Sequence, residues 1–141
     1  AALRAMLDVS LDAEPSDTLA AVATPADVKR VTALARTVLL GEAVKNAAVD
    51  LVLATQPDET AADARRHLRY GASPRALQAV VRAARVRALM EGRAHVDVVD
   101  LAAVALPVLR HRVLLRMESE LDGEDLGRTL AALVDAWRGR L

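Results

Sequence analysis

Arg75 stands two residues after Ser73 in the run Tyr70-Gly71-Ala72-Ser73-Pro74-Arg75. Ser73 is a good N-cap acceptor, and Pro74 suits a first helical position, where its missing N–H is no loss. Arg75 then sets a fixed positive charge at a helix end whose backbone already carries partial positive charge. Locally that is unfavourable; it becomes favourable beside an anion, and phosphate is the usual candidate. The bland alternative is a solvated arginine on a polar helix face.

Other chemistry-bearing groups are sparse. Arg65, Arg66 and Arg69 follow the acids Asp58 and Glu59 in a polar stretch. They read as a solvated loop, with phosphate or subunit contact as the rival role. His67, His95 and His111 are far apart, with neither an H-x-x-x-H spacing nor a cysteine partner, so no metal site is expected. The acidic segment 118–125 has the wrong ligand register for a calcium loop and reads as a linker plus a helix cap.

The elements that must carry these groups are helical. The 141 residues include 53% apolar and 27% charged positions, with only Tyr70 and Trp137 as aromatics. The apolar residues are mostly alanine, valine and leucine, which favours close-packed helices over a sheet sandwich. Zero formal net charge points to neither nucleic acid nor an anionic membrane surface. The absence of cysteine suits a reducing cytoplasm, and no apolar run reaches membrane-spanning length. The chain starts Ala1-Ala2-Leu3 without an initiator methionine, which reads as a fragment or a processed product.

Residues 1–8 resemble a helix end. Thr24-Pro25-Ala26-Asp27 is a helix start, and the stripe Val28, Val31, Leu34, Ala35, Val38 follows it. A second helix carries Val44, Ala47, Ala48, Leu51 and Val52 and stops before Pro57, after which residues 56–72 form a loop. The third helix runs over 74–91, with Gly92 in the position where helices often turn left-handed. Leu77, Val80, Val81, Ala84 and Ala88 share one of its faces; Arg75, Gln78, Arg82 and Arg85 share the other. Asp97 caps a fourth helix with Leu101, Val104 and Ala105 inward, until Pro107 kinks or restarts it. Residues 111–117 are a short, extended link. A last helix after Asp125 turns Leu126, Leu130, Leu133, Val134 and Trp137 inward and ends at Gly139. The fold class is therefore all-α, a small helical bundle, with Val38-Leu39-Leu40 and His95-Val96 as candidates for a minimal two-strand bridge.

The run Gly71-Ala72-Ser73-Pro74-Arg75-Ala76-Leu77 resembles the second sensor motif in the lid of MoxR-type AAA+ ATPases. Arg82-Ala83-Ala84, Glu91-Gly92-Arg93, then Val96, Asp100 and Leu101 follow in that family's order. Pro107-Val108-Leu109-Arg110-His111-Arg112 is similar to its signature near the end of the lid. Upstream, the capped helix from Thr24 and the segment Leu51-Val52-Leu53-Ala54-Thr55 also fall in sequence, so the resemblance covers residues 22–115. Two departures stand out: Gln56 replaces an arginine often found there, and Asp97-Val98 replaces a Thr-Pro helix start.

The resemblance implies a lid at residues 22–117, a core tail or connector at 1–21, and a C-terminal helix packing on the lid at 118–141. It implies a lid that closes over ATP. Gly71, Ala72, Ser73, Pro74 and Arg75 then form the nucleotide-facing segment, and Arg75 reaches the γ-phosphate of ATP bound to a neighbouring core domain. A charge there stabilises the transferring phosphoryl group and reports whether it is present. The phosphate loop, the Mg2+-binding acids and the water's base belong to a core domain not contained in these residues, so the chain alone is not an ATPase. Partners of such proteins are the other subunits of a ring and, commonly, a von Willebrand factor A domain protein, with chaperone-like remodelling or maturation of client proteins as the outcome. The rivals are a small helical nucleic-acid-binding module using the Arg75, Arg82 and Arg85 face, and a protein-interaction module without an ATPase parent. Net neutrality and the lack of stacking aromatics weigh against the first.

Overall fold

Side-chain caps fix where several of the helices begin. In the computed structural model, which describes residues 19–141, Thr24 Oγ1 accepts from the Asp27 N–H at 3.2 Å. The Thr24 N–H in turn donates to Asp27 Oδ2 at 2.9 Å. This reciprocal cap opens α1, Pro25–Thr37. The chain divides into two units after Thr32, and the core described below belongs to the second. The helix end read at residues 1–8 lies outside the described residues.

Five more helices, a 3-10 turn and two short strands follow. Helix α2 spans Glu42–Leu53, and a 3-10 turn at Ala64–His67 leads into β1, Leu68–Tyr70. Helix α3 spans Pro74–Met90, and α4 spans Val98–Leu109. Strand β2 is Leu114–Leu115, α5 is Met117–Leu121, and α6 is Leu126–Arg138. The all-α expectation holds. Trp137, Leu51, Leu68, Leu101, Leu109, Leu130 and Val80 are the large side chains at the centre of the core.

Helices α3 and α4 pack against each other more extensively than any other pair of elements among the described residues. Ala76, Ala84 and Ala88 on α3 and Ala105 on α4 are fully buried, and such small side chains let two helices approach closely. Gly92 turns the chain out of α3 with φ at +70°. Asp97 caps α4 in a capping box with Asp100. Asp100 is buried and takes both guanidinium nitrogens of Arg93, at 2.7 and 2.6 Å. Those hydrogen bonds hold its carboxyl below the usual carboxylate range, against the opposing effect of burial. Pro107 sits in the last turn of α4 without ending it. Helix α6 packs on α4, and the Trp137 indole donates to the Ala47 carbonyl of α2 at 3.0 Å. The bridge expected at Leu39 and His95 is present as a parallel pair, with Leu39 donating to the Ala94 carbonyl and accepting from Val96.

Three local expectations need correction. Residues 56–72 are not one loop, because Leu68 and Tyr70 pair antiparallel with Leu115 and Leu114. Arg116 reinforces that pairing by donating from its backbone to His67 and from its side chain to Leu68. The α1 stripe is also not inward along its length: Ala35 and Val38 are buried, whereas Val28, Val31 and Leu34 are at least half exposed. Periodicity marks an apolar face but not what covers it. The first part of segment 118–125, read as a linker, belongs to the short helix α5, and Ser119 is buried beside His67, 3.2 Å from Nδ1.

Candidate functional site

The segment from Gly71 to Arg75 is tied to the end of α2 by contacts that no local pattern announces. The Ala72 N–H donates to Thr55 Oγ1 at 2.9 Å, and that hydroxyl donates to the Val52 carbonyl at 2.7 Å. Gln56 Nε2 donates to the Ala72 carbonyl at 2.9 Å and to Val52 at 3.3 Å. Both backbone polar groups of Ala72 are therefore satisfied by side chains sixteen or seventeen residues earlier. A Cβ on Gly71 would lie 2.4 Å from the Thr55 carbonyl oxygen and 2.9 Å from Gln56 Cα. Gly71 is required for close backbone approach rather than for a left-handed φ, which only Gly92 and Gly123 adopt among the described residues.

This clamp sets the start of α3. Ser73 is the N-cap by backbone conformation, but its hydroxyl makes no capping hydrogen bond; the Ser73 carbonyl accepts from Ala76 at 2.8 Å instead. Pro74 holds the first turn, as expected. Of the five residues read as nucleotide-facing, Ala72 is in the core and Gly71 is packed against α2, while Ser73, Pro74 and Arg75 are exposed. Ala72 thus positions the segment, and three residues present it. Among the described residues Arg75 makes no ion pair.

The rest of the α3 face divides as its angle predicts, with one exception. Arg82 is exposed and folds back on Gln78, its Nε donating to the Gln78 carbonyl at 3.2 Å. Arg85 is half-buried, and its Nε is enclosed without an acceptor among the described residues. An open depression of about 490 Å³ is lined by Arg75, Gln78, Ala79, Arg82 and Arg112. On the other side of the segment, Val49, Val52, Leu53 and Leu77 line an apolar cleft with Gly71 and Pro74.

The remaining candidates are structural. Arg65 pairs with Asp63 at 3.0 Å and with Asp58 at 3.8 Å. Its hydrogen bonds lower the Asp63 pKa, and Thr60 does the same for Asp58. Arg66 donates to His67, and the Arg69 guanidinium lies 5.2 Å from the Tyr70 ring centre. Among the described residues no group of three His, Cys, Asp or Glu side chains could hold a metal, and no helix is long and apolar enough to cross a membrane. The residues missed from sequence are Thr55, Gln56 and Arg112. Gln56 was visible only as a departure from the expected arginine, with nothing to show that it reaches Ala72.

The AAA lid domain family matches residues 60–133. Protein MoxR of Paracoccus denitrificans is 47% identical over 75 residues, 53% of this chain and 21% of that protein. Chaperone MoxR1 of Mycobacterium tuberculosis is 34% identical over 98 residues, 68% of this chain and 26% of that protein. The chain therefore spans about a quarter or less of the length of these curated relatives over the matched region. The crystal structure of a candidate ATPase from Cytophaga hutchinsonii superposes with a TM-score of 0.72 at 28% identity, over 78% of this chain and 34% of that one. With its fold, its spaced motifs and more than half of its length matched, the chain belongs to the AAA lid domain family, as the lid of a MoxR-type AAA+ protein.

Proposed function

We infer that residues 22–117, with the C-terminal segment of residues 118–141 packed on them, close over ATP held by an AAA+ core domain, and that Arg75 faces the γ-phosphate. The observation that carries this reading is the presentation of Arg75. It is an exposed guanidinium at the first turn of α3, with no ion pair among the described residues, on a segment clamped to α2 through Thr55 and Gln56. A charge so placed fits an anion, and the clamp means that it is not searching a mobile loop for one.

Mg2+ and the attacking water would be managed by the core domain. ATP supplies the phosphoryl group that is transferred to water. Arg75 binds the equatorial oxygens and stabilises the charge that develops on them. It also couples nucleotide state to lid position: Arg75 is held while the terminal phosphate is present and released once it has gone, and the lid–core angle changes in response. Passed around a ring of subunits in the cytoplasm, that motion would serve chaperone-like remodelling, with a von Willebrand factor A domain protein as the candidate partner. Gly71, Ala72, Ser73 and Pro74 act by position and not by chemistry.

The test is Arg75→Ala in the full-length parent protein. ATP turnover is expected to fall by about 100-fold, in line with loss of one preorganised transition-state contact, with ring assembly and folding retained. Arg75→Lys should recover only part, because a point charge cannot reproduce the planar fork. Unchanged turnover in an assembled Arg75→Ala ring would reject the sensor role.

A further inference from the structure

Arg75 is one of three arginines around a single depression. Arg82 follows it two turns later on α3, and Arg112 arrives from the turn after α4. The α3–α4 hairpin brings them together: the Arg112 N–H closes the turn onto the Leu109 carbonyl at 2.8 Å, and the buried Val113 anchors the chain immediately beyond. No carboxylate lines the depression, and none of the three arginines forms an ion pair among the described residues.

One feature is unfavourable unless an anion is bound there. Three like charges share one concavity, where solvent screening is weaker than on a convex surface.

We propose that Arg112 and Arg82 complete the anion site begun by Arg75, so that a compact polyphosphate is gripped between the start of α3 and the turn after α4. This rests on the reading of Arg75 as phosphate-facing and extends it to a second element of the lid. A guanidinium on each side of the hairpin lets a bound anion pull α3 and α4 against one another, and Arg112 then senses phosphate together with Arg75. The grouping around one concavity, rather than along a stripe, favours a compact anion over a nucleic-acid strand. Tyr70, the one exposed aromatic available for stacking, lies against Arg69.

The test is calorimetric titration of the 141-residue chain with inorganic tripolyphosphate at low ionic strength. Saturable one-to-one binding is expected, weakened about tenfold by Arg112→Gln and by Arg82→Gln, as for loss of one charge-assisted contact. Arg112→Lys should recover part of the loss, and Arg128→Gln, exposed on α6, should leave binding unchanged. Arg82 is exposed, so its variant decides the matter if Arg112→Gln disturbs folding. Absence of saturable binding would overturn the proposal. So would retention of full affinity in Arg82→Gln and Arg112→Gln with loss in Arg75→Gln, which would place the anion at the helix start alone. An equal loss in Arg128→Gln would reduce the effect to net charge, and a single-stranded DNA oligonucleotide that displaces tripolyphosphate at far lower phosphate concentration would make the site a strand-binding one. Failure of the sensor reading is distinguishable: it would leave the titrations intact and appear as unchanged ATP turnover in Arg75→Ala.

Discussion

Adding one methyl group at Gly71 should dislodge the segment that presents Arg75. A Cβ there lies 2.4 Å from the Thr55 carbonyl oxygen, whereas such contacts are essentially never under 3.0 Å, so the backbones must separate by at least about 0.6 Å. That shift lengthens the two bonds that hold Ala72, each 2.9 Å, to the edge of hydrogen-bonding distance. Loss of two such bonds at about 1 kcal/mol each, with about 1 kcal/mol of overpacking, gives about 3 kcal/mol for Gly71→Ala. For a domain of this size that corresponds to a Tm lowered by about 10 °C. Urea denaturation followed by the fluorescence of the lone Trp137 measures it. Gly41→Ala is the control: its Cβ would meet nothing within 4 Å, and its φ is −68°, so the cost should stay below about 1 kcal/mol. Gln56→Ala should not rescue Gly71→Ala, because the shortest contact is with backbone. A loss below about 0.5 kcal/mol, or rescue by Gln56→Ala, would refute the argument from close approach.

Asp100→Asn should destabilise the chain by about 2 kcal/mol at pH 7, since it weakens the Arg93 pair and half of a capping box. The folded-state pKa of Asp100 lies below its unfolded value, so its contribution is present above about pH 4 and is lost as pH falls through the folded pKa. The gap between variant and wild type should therefore close on titration from pH 7 towards pH 2; a constant gap would show that the charge is not what matters. Trp137→Phe should cost about 2 kcal/mol in the same denaturation assay read by circular dichroism, from the lost bond to Ala47 and the space left by the smaller ring. A neutral result would mean that the indole N–H contributes nothing net.

What could be read from the sequence was local. Helix starts at Thr24, Pro74, Asp97 and Asp125, the left-handed exit at Gly92 and the inward face of α6 all depend on residues within about four positions of one another. Backbone dihedrals and hydrogen bonds at that range are set by residue type before any tertiary contact forms. Ser73 marks the limit of such reasoning: its position as N-cap was legible, but its hydroxyl makes no capping hydrogen bond.

Apart from the bridge between Leu39 and His95, what joins distant positions was decided by the tertiary structure. Gly71 was legible only as part of the segment leading to Arg75; that it is a close-approach glycine follows from the end of α2 lying against it. The pairing of β1 with β2 depends on residues more than forty positions apart, and two- and three-residue strands carry too little periodicity to announce themselves. The apolar face of α1 was visible, but its exposure was not, since burial is a property of what packs on a face and not of the face itself. Sequence alone placed Arg75 at a helix start and aimed it away from its own core stripe. That it shares a depression with Arg112 was decided by the packing of α3 on α4, where buried alanines let the two helices approach closely.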